Sequence, residues 1–242
     1  MHFCLPDQAI HDGEMNMFKV AVRVFALGCT VLFGFFQAGA SLANSDILLE
    51  IVQQCLRTDT PAYCEQCRAP QRIANCAGKT TCRATSEVWA ESAEFVAIRD
   101  IKMCGCPKDF VHGLVMPKAT VTGIEDNRRP DSIWSFSWQV ALERLKPHEI
   151  ALAVNPRTKR TQNQLHVHVV RLKPGFEEKQ AQLVVVSTRD LNAVWRLAQQ
   201  AADERRMPDY GVLVSASANG EFLVTLTSES PEGQFTQAVC SP

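Results

Sequence analysis

Residues 164–172, QLHVHVVRL, open with a strict alternation of polar and apolar side chains, and no other stretch limits the fold as tightly. Successive side chains of a strand point to opposite faces, so Gln164, His166 and His168 share one face while Leu165, Val167 and Val169 share the other. The spacing predicts a strand over 164–172 with one face packed and the other carrying two imidazoles. Two histidines so placed suit a metal site, a nucleophilic pair, or a pair that is simply hydrogen-bonded on an exposed face. Gln164 is a poor metal ligand and no Asp or Glu stands close by in sequence, which weakens the metal option.

The neighbouring segments supply partners for such a strand. EFVAIRDI at 94–101 and FVHGLVMP at 110–117 are short apolar runs with β-branched content, and Cys104, Gly105, Cys106 and Pro107 mark a turn between them. Asp131 is placed to cap a helix in which Trp134, Trp138, Leu142 and Leu145 recur at helical spacing before Pro147, and this pattern puts the tryptophans in the core. A strand at 150–154 then leads through a basic loop, 155–163, into the histidine strand. The order reads as an α+β unit on an antiparallel sheet. Beyond Pro174 a strand at 182–186, a helix from Asp190 to about Arg206 and a hairpin of 211–216 with 222–227, turned by Asn219 and Gly220, predict a second small α+β layer packed on the first. No catalytic cluster is expected there.

A chain of 242 residues that is 46% hydrophobic and 21% charged can bury one good core or two small ones, and a formal net charge of -1 gives no field to gather nucleic acid. An anionic substrate must therefore be held by local cations. Residues 1–43 read as a leader or membrane anchor: Lys19 and Arg23 precede the apolar run 24–36 and the small residues AGASLA at 38–43. Carried from Val24 to Ala43 and taken as helix at ~1.5 Å per residue, this stretch just spans a hydrocarbon core of ~30 Å, so cleavage near Ala43 and retention are both open. The positive flank places the remainder outside the cytoplasm. Past the leader stand Cys55, Cys64, Cys67, Cys76, Cys82, Cys104, Cys106 and Cys240, an even set that in an exported chain predicts disulfides over zinc. Residues 44–93 read as a Cys-rich cap that begins with a short helix, 94–174 as the catalytic core and 175–242 as the C-terminal layer of the same unit, with Cys240 placed to tie the chain end back to the cap.

HGLVMPK at 112–118, the tryptophan helix, ALAVN at 151–155 and QLHVHVV at 164–170 together resemble the histidine-triad (HIT) superfamily. The nine residues RTQNQLHVH at 160–168, with the tryptophan helix and Cys55, Cys64 and Cys240, resemble the CDP-diacylglycerol pyrophosphatase family over most of the chain after residue 47. The resemblance implies a HIT-like antiparallel sheet with a helix, and hydrolysis of CDP-diacylglycerol to CMP and phosphatidate in phospholipid metabolism. It implies that His166 attacks phosphorus to form a cytidylyl-histidine and that His168 donates to phosphate oxygens. Gln164 occupies the position where many relatives carry His and is expected to orient the strand face or a phosphate; Asn155 and Thr161 match positions that contact ribose or phosphate, and Arg160 is suited to the diphosphate. Neither a cofactor nor a metal is implied. A lipid substrate favours retention of 1–43 as a single anchor in a bacterial inner membrane, with the catalytic part facing the periplasm. A nucleotidyl transferase or soluble-nucleotide hydrolase on the same scaffold, a non-catalytic nucleotide-binding envelope protein, and a disulfide-rich structural protein are the rival readings.

Overall fold

The apolar runs of the sequence pair edge to edge into one antiparallel sheet of eight strands in the computed structural model, which describes residues 45–56 and 87–240. The strands are β1 (Val88–Glu91), β2 (Phe95–Arg99), β3 (His112–Pro117), β4 (Ile150–Val154), β5 (Val167–Arg171), β6 (Val184–Thr188), β7 (Gly211–Ala216) and β8 (Phe222–Thr227). Their spatial order is β1-β2-β3-β5-β4-β7-β8-β6. The helices are α1 (Ile47–Glu50), which runs on as a π turn over Ile51–Cys55, then α2 (Ile133–Leu142), α3 (Phe176–Gln180), α4 (Val194–Arg205) and α5 (Pro231–Phe235).

The start of the histidine strand and the place of the C-terminal residues differ from expectation. The histidine strand starts at Val167 rather than at residue 164, because the segment before it is held by side-chain bonds of Gln164 to a neighbouring loop. Residues 175–242 do not form a separate layer: β7 pairs with β4 through Leu152↔Val214, Ala153↔Leu213 and Val154↔Val212, so the C-terminal hairpin extends the same sheet. Without β7, β4 would present an open row of N–H and C=O groups. The leader at 1–43 and most of the Cys-rich cap, 57–86, lie outside the described residues. Among the described residues no helix is long and apolar enough to cross a membrane.

The two faces of the sheet are covered differently. On one, α2 and α4 pack over Val115, Leu152, Val154, Val167, Val169, Val212 and Val214. Trp134 is fully buried there and meets Trp195 edge to face, with ring centroids 4.6 Å apart, and Trp138 is buried as well, so the two tryptophans of α2 lie in the core as their spacing implied. On the opposite face the cover is split. Leu48 and Val52 sit on Val96, Ile98, Leu114 and Met116, while Phe176 and Phe235 sit on Ala151, Ala153, Val170 and Leu213. His168 is paired across the strands with Leu114 on one side and Ala153 on the other, so the imidazole stands in the gap between the two apolar patches.

The chain end is fixed beside that gap. Cys240 is bonded to Cys106 in the turn between β2 and β3, with Cα atoms 5.7 Å apart, and not to the 44–93 segment as expected. Cys55 and Cys104 are also disulfide-bonded. The Cys106–Cys240 bridge closes a sequence separation of 134 residues, and long loops lose most conformational entropy when cross-linked. Replacing both Cys106 and Cys240 by Ser is expected to lower the free energy of unfolding by about 2–5 kcal/mol in denaturant titrations; an unchanged midpoint would show that the bridge does not constrain the chain.

Candidate active site

His166 leads directly into β5, and its ring is oriented by its own backbone. Nδ1 lies 2.7 Å from the Gln164 carbonyl, which can only accept, so Nδ1 carries the proton and donates it. Nε2 is left with the lone pair. His166 is 9% exposed, more than His168 at 4% or His112 at 0%. It is thus the imidazole nearest to solvent in a row of three, with ring centroids 4.8 Å from His166 to His168 and 5.4 Å from His168 to His112.

His112 enters the row through strand register. It pairs with Val170 while its strand neighbour Leu114 pairs with His168, so His112 and His168 lie diagonally on one face. Nδ1 of His112 donates to the Ala238 carbonyl at 3.0 Å, and its Nε2 lies 3.1 Å from Nδ1 of His168. With Nδ1 of His112 protonated, Nε2 accepts from His168. The tautomers of both rings are then fixed from the chain end inward, and Nε2 of His168 faces the carboxylate of Glu232 at 3.3 Å.

Glu232 comes from α5. Phe235, one turn further along, packs on Ala151 and Ala153, whose small side chains leave room above β4. The helix starts at Pro231, and Ser230 caps it by accepting from the N–H of Gly233 at 3.0 Å. One Glu232 oxygen accepts from Lys102 Nζ at 2.6 Å and the other from Asn155 Nδ2 at 2.9 Å, while Ser230 donates to the Asn155 carbonyl oxygen at 2.8 Å. Asp100 closes the cluster, 3.5 Å from Nε2 of His112 and capping the turn that carries Lys102.

Burial lowers the proton affinity of His112, His166 and His168 below the ordinary imidazole range, and lowers that of His168 most. Glu232 and Asp100 oppose the shift at His112, and Glu232 opposes it at His168, without reversing it. Burial alone would raise the Glu232 carboxyl; the attraction of His168 in its protonated form and the charge of Lys102, with hydrogen bonds from Lys102 and Asn155, outweigh it and hold the group at about 2. Asp100, His112 and His168 have donor atoms within 4.8 Å of one another, a span that could hold a divalent ion. Here the two imidazoles are hydrogen-bonded to each other, and the ammonium of Lys102 stands beside them on Glu232.

The site residues expected from sequence divide into those brought to the cluster and those placed elsewhere. His166, His168 and Asn155 come together. Gln164 is buried and its amide is spent on the backbone, donating to the Pro117 and Ala119 carbonyls at 2.8 Å each and accepting from the Val121 N–H at 3.4 Å. Arg160 forms a two-pronged pair with Glu125 at 2.6 Å, and its guanidinium fills the space where a side chain on Gly123 would stand. Thr161 is exposed in the same loop. Four functional groups were not foreseen. His112 and Asp100 flank the 101–111 connection, and the antiparallel register of β3 on β5 is the signal that would have found His112. Lys102 and Glu232 sit in IKM and PEGQF, which carry no motif.

Residues 43–183 match the model of a family described as CDP-diacylglycerol pyrophosphatase. No curated protein matches the chain. Glu232 and Ala238 lie beyond the matched residues.

The neutral burial of three imidazoles has a consequence for stability. A group whose folded proton affinity is depressed stabilises the fold above its unfolded value, here 6.5, and loses that contribution as pH falls below it. Urea midpoints are expected to fall between about pH 7.5 and about pH 5, and less steeply in His168→Gln; a midpoint that stays flat or rises in the parent would contradict neutral burial.

Proposed function

We propose that this chain, which belongs to the CDP-diacylglycerol pyrophosphatase family, hydrolyses the pyrophosphate bond of CDP-diacylglycerol through a covalent bond between the cytidine-side phosphorus and Nε2 of His166. The family carries the assignment of activity and substrate, CDP-diacylglycerol. The observation that supports His166 as nucleophile is the 2.7 Å bond from its Nδ1 to the Gln164 carbonyl, which holds the ring in the tautomer whose lone pair faces outward. A neutral imidazole is nucleophilic without a separate base, and burial keeps His166 neutral.

In the first step Nε2 of His166 bonds to phosphorus, the bond to the bridging oxygen breaks, and the electron pair leaves with phosphatidate. His168 donates to oxygens on which charge builds. In the second step water attacks the same phosphorus, the N–P bond breaks, its pair returns to His166, and CMP is released. Asn155 has both ends of its amide engaged at the cluster and is suited to position Glu232 or a ribose hydroxyl beside it. Gln164 positions His166 by fixing the backbone whose carbonyl takes the Nδ1 proton. Arg160 is engaged by Glu125, so its role at the diphosphate requires that pair to part, while Thr161 is exposed in the same loop.

The HIT-like reading is supported by the row of imidazoles on one antiparallel sheet. Placement at the outer face of an inner membrane rests on the pattern of residues 1–43 and on the disulfide at Cys106–Cys240, which suits an oxidising compartment. A lipid substrate held in the bilayer is met more often by an enzyme held at the same surface. In detergent micelles the purified protein is expected to release CMP and phosphatidate from CDP-diacylglycerol, and His166→Ala to lose at least about 10³-fold in rate, with EDTA leaving the parent largely unchanged. Turnover retained in His166→Ala would remove the nucleophile assignment; CMP binding without turnover in the oxidised parent would favour a binding protein.

A further inference from the structure

The proposed chemistry needs a proton at His168, and the surroundings of this ring are arranged for one. Nδ1 donates to His112, so a neutral His168 would present the lone pair of Nε2 to the Glu232 carboxylate at 3.3 Å, acceptor against acceptor. Nε2 is buried and forms no hydrogen bond among the described residues, because the carboxylate lies close to it but outside hydrogen-bond geometry. A proton on Nε2 would therefore be attracted by the Glu232 charge without being committed to it by a hydrogen bond. Glu232 is engaged instead by Lys102 at 2.6 Å, whose side chain is 44% exposed and is the solvent-facing member of an otherwise buried group.

We propose that Glu232 is the positioning residue of His168 and Lys102 its exchangeable counter-ion: the leaving phosphate of the substrate draws Lys102 away, and Glu232 then holds the proton on Nε2 of His168 that the leaving oxygen receives. The inference rests on the reading of His166 as nucleophile and adds the acid that follows it. The proton enters from water when the anionic diphosphate binds. In the first step it passes from Nε2 of His168 to the bridging oxygen as the P–O bond breaks. In the second step the attacking water returns a proton to Nε2 as the N–P bond breaks, so the cycle closes without a further reactant.

The charges that reach His168 come from every element around it. Glu232 on α5 favours the proton, while His166 beside it on the chain, His112 on β3 and Lys102 on the turn after β2 disfavour it. Asp100 at the end of β2 acts on His112. The two members of the ion pair thus pull His168 in opposite directions, so parting them changes the proton affinity of the ring.

The test is the titration of the His168 ring, followed by NMR of the full oxidised protein in the parent, Glu232→Gln and Lys102→Met. Neutralising Glu232 is expected to move the ring's midpoint to lower pH and neutralising Lys102 to higher pH, each by about 1 unit, a typical effect of one charge at this range. In turnover, Glu232→Gln is expected to lose about tenfold at pH 8 and less at pH 6, as its alkaline limb moves down by that unit, with Glu232→Asp recovering part of the loss. Shifts of the same sign in both variants, no shift, or an equal loss at all pH values with an unmoved titration would overturn the proposal. The ring titration needs no catalysis, so it can support or overturn the pairing even if His166→Ala shows the nucleophile to be elsewhere.

Discussion

The hydrogen bond from His112 to the Ala238 carbonyl is the constraint on which the rest of the site depends. It joins the central sheet to a chain segment that carries no strand, and it fixes the proton on one nitrogen of His112. From that single choice the orientation of His168 follows through a 3.1 Å contact, and with it the side that His168 turns toward Glu232. The same segment delivers Glu232 through α5. Its position is secured by Phe235 on the alanines of β4 at one end and by the Cys106–Cys240 bridge at the other. Packing, cross-linking and proton placement are therefore one structural problem here, solved by the last residues described.

Much of the scaffold could be read from residue patterns. The runs at 94–101, 110–117 and 150–154 became β2, β3 and β4, and the Trp134 and Trp138 spacing became α2 with both rings in the core, because apolar periodicity is what sheet and helix packing impose locally. The hairpin turned by Asn219 and Gly220 formed as β7 and β8, with Gly220 at a φ of 82° that suits glycine. Which edge that hairpin would join is a long-range matter, and no local pattern in 211–227 distinguishes pairing with β4 from a separate layer.

The site was legible only in part, for the same reason. His166 and His168 declare themselves by the alternation of a single short segment. Gln164 shares their period, yet β5 begins after it, and three backbone groups of the 117–121 segment claim its amide. Lys102 and Glu232 are separated by 130 residues and meet only through the fold, so neither has a neighbour in sequence that marks it. Cys240 presents the complementary case: a cysteine near the chain end promises a bridge, while its partner in the β2–β3 turn is decided by where α5 lands.

In the proposed reaction the cytidylyl group resides on His166 between two chemical steps. An N–P bond to imidazole survives alkali, so mixing the oxidised protein with CDP-diacylglycerol, quenching in base within the first turnover and mapping the modified peptide by mass spectrometry tests it directly. CMP attached to the peptide at His166, rising before free CMP appears, is the expected result. Free CMP formed at its full rate with no adduct at any quench time, or an adduct on another residue, would contradict the account.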